Sequence, residues 1–194
     1  MVKTKIAVLV SGGGTNLQAL LDAQSAGKIP HGEIVLVVSN KPGAYALTRA
    51  EKAGIHTAVI SGTDFEDRLT ELLQSVGAQM IVLAGFMKIL SGEFTSRWPE
   101  RILNIHPALI PSFCGEGYYG LKVHEEALRY GVKVTGATVH FVNEIPDGGK
   151  IIAQKAVEVQ EGDTPEILQR RVMEQAEWIL LPQAVEIVAE QLSR

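Results

Sequence analysis

Cysteine is almost missing from this chain: Cys114 is the single one in 194 residues. Without a second thiol neither an internal disulfide nor a cysteine-rich zinc site can form, and a reducing compartment is the expectation. A basic excess is missing as well. Eighteen Lys and Arg stand against 22 Asp and Glu, giving a formal net charge of −4 and a pI near 5.8. A generic nucleic-acid binder needs a basic face, so that class is disfavoured. No stretch reaches the roughly 18 consecutive apolar residues of a membrane span. The N-terminal apolar run is about six residues, shorter than a secretory signal core, and no small-residue cleavage pattern follows it. Chemical signatures are lacking too. No G-x-S-x-G elbow is present, and no two of the five histidines show the H-x-x-x-H ligand spacing. The expectation is a cytoplasmic protein that uses no metal and binds neither nucleic acid nor membrane.

What is present is an alternation of strand-like and helical patterns. Buried strands are predicted over 6–10, 34–39, 56–60, 80–84 and 102–105, and helices over 16–26, 45–53 and between Phe65 and Val76. Continuous apolar strands separated by amphipathic helices imply a parallel sheet covered on both faces. Right-handed crossovers make it a doubly wound, Rossmann-like sheet. Beyond residue 105 the pattern changes. Two longer strands, 134–142 and 151–159, flank a turn-rich segment and predict an antiparallel addition at the sheet edge. A helix follows Thr164 as N-cap and Pro165 as its first residue. Pro182 should kink or break that helix. No linker or repeat divides residues 1–194, so one domain is expected, large enough to bury about 70% of its unfolded surface.

Three motifs can carry chemistry. Ser11-Gly12-Gly13-Gly14-Thr15-Asn16 joins the first strand to the first helix, where glycines admit an anion and the helix end supplies free N–H groups. The plainer alternative is a tight turn with Thr15 or Asn16 as a cap. A dinucleotide site would want a third glycine where this chain has Leu17. A monophosphate fits better than NAD. Asn104 and His106, two apart at the end of a strand, share a face and stand where open parallel sheets bind ligands. They can serve as oxyanion donor and proton carrier, or merely pin a loop. Asp147, before Gly148 and Gly149, is turn chemistry first, but could orient and charge the His106 imidazole if the fold brings them together. His31 and His56 read as surface residues. His124 reads as a cap or a residue facing the site, and His140 as a core histidine or a support for Asp147. Cys114 lacks the basic surroundings of a reactive thiol.

As an ordered set, 11–16, Leu83-Ala84-Gly85-Phe86-Met87-Lys88-Ile89-Leu90, Asn104-Ile105-His106-Pro107, and 139–142 through Asp147-Gly148-Gly149 resemble the folate-dependent phosphoribosylglycinamide formyltransferases. The likeness runs from about Lys5 to about Ala189. It implies a single formyltransferase domain that moves the formyl group of 10-formyltetrahydrofolate, the co-substrate, to the amine of glycinamide ribonucleotide in purine biosynthesis. Asn104, His106 and Asp147 then match the catalytic trio. Gly14, Thr15, Asn16 and Glu177 match the ribonucleotide contacts. Met87, Lys88, Ile89, Leu90, Asn104, Asn143, Glu144, Ile145, Pro146 and Asp147 match the folate-binding segments. Partners would be small-molecule substrates, and the chain a monomer or homodimer.

Two departures from the family stand out. Gly62 stands where an arginine near the folate tail is usual, which leaves Lys88 or Arg68 to take its place. The glycine-rich segment 114–121 is longer than the usual turn and suggests a lid. A formyltetrahydrofolate hydrolase or a methionyl-tRNA formyltransferase would share the catalytic fold but is expected to carry a further domain. From other classes, a nicotinamide-dependent oxidoreductase or a non-catalytic phosphosugar-binding module is the alternative.

Overall fold

The computed structural model describes residues 2–194. The elements run in the order β1 (Thr4–Val10), α1 (Thr15–Ser25), β2 (Gly32–Ser39), α2 (Tyr45–Lys52), β3 (His56–Val59), α3 (Phe65–Val76), β4 (Met80–Leu83), α4 (Gly92–Ser96), β5 (Ile102–His106), α5 (Leu121–Tyr130), β6 (Val134–Phe141), β7 (Ile151–Glu158), α6 (Pro165–Val172) and α7 (Trp178–Leu192). The strands form one sheet in the order β3-β2-β1-β4-β5-β6-β7. The first five are parallel, while β6 and β7 add antiparallel at one edge, as the change of pattern after residue 105 anticipates.

The period of two along each central strand separates two cores. Ile6, Val8 and Val10 face α1, α2 and α7 through Leu17, Leu20, Leu47 and Leu181. Ala7 and Leu9 face α3 and α4 through Phe65, Leu69, Leu73 and Phe94. Runs such as Ile6–Val10 and Met80–Leu83 are therefore apolar at successive positions because both faces are covered. Complete burial of each leucine or isoleucine contributes about 1.5–3 kcal/mol before entropy is counted. Strand order reverses between β1 and β4, one set of crossovers running outward to β3 and the other to β5. Ligands of open α/β sheets bind at such a switch point, beyond the carboxyl ends of the strands.

Three features differ from the sequence expectation. Helices α4 and α5 have no counterpart in the periodicity reading. The first has only five residues, and the second follows a loop dense in glycine. Pro182 does not end α7, which continues through it to Leu192. The irregularity a proline demands is taken up one turn earlier, where Met173–Glu177 forms a π-helical turn. Thr164 and Pro165 do begin α6 as predicted, the Thr164 hydroxyl accepting from the Ile167 N–H. No helix among the described residues is long and apolar enough to cross a membrane.

Candidate active site

A cavity of about 1010 Å³ opens over the switch point. Its floor is made by the segments that leave β1, β4 and β5: Gly12–Asn16, Ala84–Ile89 and Asn104–Pro107. Gly115–Gly120, His124, Pro146 and Asp147 form one wall, and Gln169, Met173 and Glu177 another.

The chemistry-bearing side chains converge on β5 and the turn after β6. Asn104 and His106 share a face, as their spacing requires, and Asn104 lies opposite His140 in the antiparallel register. The His140 Nδ1 faces the Phe141 carbonyl at 2.8 Å. A carbonyl can only accept, so that nitrogen carries the proton. In the neutral ring Nε2 then accepts from the Asn104 amide at 3.2 Å. The Asp147 carboxylate lies 3.4 Å from His106 Nδ1 and 3.5 Å from His140 Nε2, and accepts from the Gly115 N–H at 2.9 Å. His140 Nε2 thus lies between the Asn104 amide and the Asp147 carboxylate, accepting from the amide when it is unprotonated and donating to the carboxylate only when it carries a proton.

Turn chemistry makes this possible. Asp147 sits at φ 55, a left-handed conformation that Asp tolerates better than most residues. Gly149 follows, where a Cβ would stand 1.7 Å from the Phe141 carbonyl oxygen. The Asp147-Gly148-Gly149 turn and the half-buried carboxylate are therefore one feature.

His106 has an acceptor at each ring nitrogen, Asp147 at Nδ1 and the Phe113 carbonyl at Nε2, 2.8 Å away. Burial is the dominant influence and holds its pKa below the ordinary histidine value, although Asp147 and the Phe113 carbonyl pull it up. The doubly protonated ring is the form that satisfies both neighbours. Burial alone would push the Asp147 carboxyl up, but His140, His106 and the Gly115 N–H outweigh it and hold it below the usual range. A half-buried, ionised carboxylate beside an imidazole is an acid–base arrangement. The chain at the start of the 114–121 segment thus touches both catalytic candidates: the Phe113 carbonyl meets His106 and the Gly115 N–H donates to Asp147.

At the other end, Gly14 occupies the N-cap of α1 at φ 74, so neither Thr15 nor Asn16 is the cap. Asn16 donates from Nδ2 to Glu177 Oε2 at 2.7 Å. Glu177 is 5% exposed, and burial pushes its carboxyl up, partly offset by Asn16. The π turn ends at this residue and aims it into the cavity.

The predicted residues are not all brought together. Met87, Lys88, Ile89, Pro146 and Asp147 line the cavity, but Leu90, Asn143, Glu144 and Ile145 do not. Leu90 is 4% exposed and packs into the core beneath α3 and α4. The Asn143 side chain instead accepts from the Ile145 N–H at 3.0 Å, closing the turn locally. Ile145 points outward at 58% exposure. Of the two cations proposed near Gly62, Lys88 reaches it, with Nζ 3.4 Å from its carbonyl, and Arg68 reaches the residue before it, with Nη1 3.5 Å from the Ser61 carbonyl.

Sequence reasoning undervalued His124. It is fully buried on α5, lines the cavity, and burial together with His106 pushes its pKa down to about 4. Its place on an apolar face with Val123 and Ala127 is the periodic signal that could have located it. The Cys114 thiol is pushed up by burial and by Asp147, in keeping with an unreactive cysteine.

Known proteins resemble this chain over most of its length. Residues 4–185 match the family model described as formyl transferase. The phosphoribosylglycinamide formyltransferase of Haemophilus influenzae is 45% identical over 177 residues, covering 88% of this chain and 81% of that one. The trifunctional purine biosynthetic protein adenosine-3 of Gallus gallus is 49% identical over 193 residues, although this chain spans only 18% of its length. The crystal structure of glycinamide ribonucleotide transformylase 1 from Symbiobacterium toebii superposes with a TM-score of 0.90 at 42% identity, covering 97% of this chain and 89% of that one. A switch-point cavity with an imidazole, an amide and a carboxylate at one end and a glycine loop at the other is thus set in a chain that belongs to the formyl transferase family, among its phosphoribosylglycinamide formyltransferases.

Proposed function

We propose that this enzyme transfers the formyl group of 10-formyltetrahydrofolate to the amine of glycinamide ribonucleotide, a step of purine biosynthesis. The observation that carries the reading is the convergence of Asn104, His106 and Asp147 in the cavity that also holds Gly12–Asn16 and Glu177. The free amine attacks the formyl carbon, a C–N bond forms, and the carbonyl oxygen becomes an oxyanion. Asn104, oriented by His140, donates to that oxygen, and loss of one such donor typically costs about 3–4 kcal/mol. His106 in its protonated form, which Asp147 favours against burial, stabilises the same oxyanion. As the tetrahedral centre collapses, the bond to folate N10 breaks, and the proton lost by the amine ends on that nitrogen through His106 or a water oriented by Asp147.

The Gly14, Thr15 and Asn16 end takes the ribonucleotide phosphate, with Glu177 beside it. Exposed Met87 and Ile89 give the folate ring an apolar edge, and Lys88 with Arg68 meets the anionic tail where Gly62 leaves room. Leu17 is fully buried in the core, which supports a monophosphate over a dinucleotide. The proposal extends to a single formyltransferase domain over residues 1–194, small-molecule partners, a monomer or homodimer, and a cytoplasmic location. The direct test is tetrahydrofolate release that depends on glycinamide ribonucleotide. Release that proceeds equally without the ribonucleotide would instead mark a hydrolase.

A further inference from the structure

The glycine loop is held open by its carbonyls. Gly12 O accepts from the Ala46 N–H at 3.0 Å, and Gly14 O from the Gln18 N–H at 2.9 Å. The carbonyl between them, Gly13 O, accepts from a side chain, Arg49 Nε, at 2.8 Å. In a trans peptide the N–H points opposite to the preceding C=O. Three outward carbonyls therefore turn the N–H groups of Gly13, Gly14 and Thr15 to the other side, where Gly12–Thr15 line the cavity. A Cβ at Gly12 or Gly13 would meet nothing within 4 Å, so that side is open to a ligand.

Arg49 is itself held. Its Nη1 donates to Gln18 Oε1 at 3.0 Å, and Gln18 Nε2 donates to Asp22 Oδ1 at 2.8 Å. The guanidinium carbon lies 5.0 Å from the centre of the Tyr45 ring. Helix α2 reaches the loop closely because Gly14 has no Cβ, which would stand 2.6 Å from that of Ala46. The fork geometry that lets one side chain serve Gly13 and Gln18 together belongs to Arg and not to Lys.

We propose that Arg49 is a positioning residue for phosphate recognition: by holding the Gly13 carbonyl outward it presents the Gly14 N–H to the phosphate of the ribonucleotide. This rests on the reading of Gly12–Asn16 as the phosphate loop. Freed from Arg49, the Gly13–Gly14 peptide can rotate and one charge-assisted hydrogen bond is lost.

The test compares affinities for glycinamide ribonucleotide and for its dephosphorylated riboside in wild type, Arg49→Gln, Arg49→Lys and Thr15→Val. Arg49→Gln is expected to weaken ribonucleotide binding about tenfold, or about 1.4 kcal/mol, while riboside affinity, the KM for the folate and kcat at saturation stay within about twofold. Arg49→Lys, which keeps the charge and one donor, should show a smaller loss of the same kind, and it decides the matter if the Gln variant does not fold. If Thr15→Val erodes the preference for the phosphorylated ligand and neither Arg49 variant does, the role of Arg49 is overturned and the loop reading survives. If wild type binds both ligands equally, the loop reading falls and this inference with it. Equal weakening of ribonucleotide and riboside in Arg49→Gln would reduce Arg49 to a structural residue and overturn the proposal.

Discussion

Replacing Asp147 with Asn removes one charge with almost no change of shape, and its effect can be worked from distances. The carboxylate lies 3.4 Å from His106 Nδ1. At an effective dielectric of about 20, two unit charges at that separation interact by about 5 kcal/mol. Its side chain is 13% exposed, and the Gly115 N–H shares its charge, which argues for a figure nearer 3–4 kcal/mol. If the imidazolium stabilises the oxyanion, Asp147→Asn should lower kcat by about 10²–10³. KM for either substrate should change little, because the anion acts on charge that develops in the transition state.

The pH profile gives an independent sign. Asp147 raises the His106 pKa against burial, so without it the pKa falls further, and the limb on which activity declines with rising pH should move acidward. The measurement is tetrahydrofolate release between about pH 5 and 8, the span over which His titrates, with circular dichroism to confirm the fold. More than a tenth of wild-type kcat with an unshifted profile would refute the ion-pair reasoning.

Other substitutions test the supports. Burial raises the Glu177 pKa, so its favourable contribution is present at low pH and is lost as pH rises through the folded value. Glu177→Gln should therefore raise the thermal midpoint more at pH 8 than at pH 5, by about 2–4 °C for each kcal/mol relieved, and weaken ribonucleotide binding; a lower midpoint at pH 8 would contradict this. The Thr138 hydroxyl donates to Ala108 O and accepts from the Ile110 N–H and Gln154 Nε2. Thr138→Val should cost about 1–3 kcal/mol in chemical denaturation and lower kcat by loosening the chain after His106. Gly149→Ala forces a Cβ against the Phe141 carbonyl and should reduce both stability and kcat, whereas unchanged values would show that the turn can shift without moving Asp147.

The chain's own order of residues determined the layers. Apolar runs separated by 3.6-period segments can be covered only by helices on both faces, and the loss of that pattern after residue 105 announced the antiparallel strands. Glycines after β1 and a polar pair at the end of β5 marked two ends of one cavity, because strand ends in such a sheet face the ligand. Tertiary structure decided the rest. Periodicity is a local property, and it carries no information on which turn returns to which strand. Asp147 and Glu177 reach the cavity only because β6 pairs beside β5 and a π turn widens the last helical segment. The same limit hid Arg49 and His124, whose surroundings include residues 36 and 18 positions away in sequence, set by packing and not by pattern.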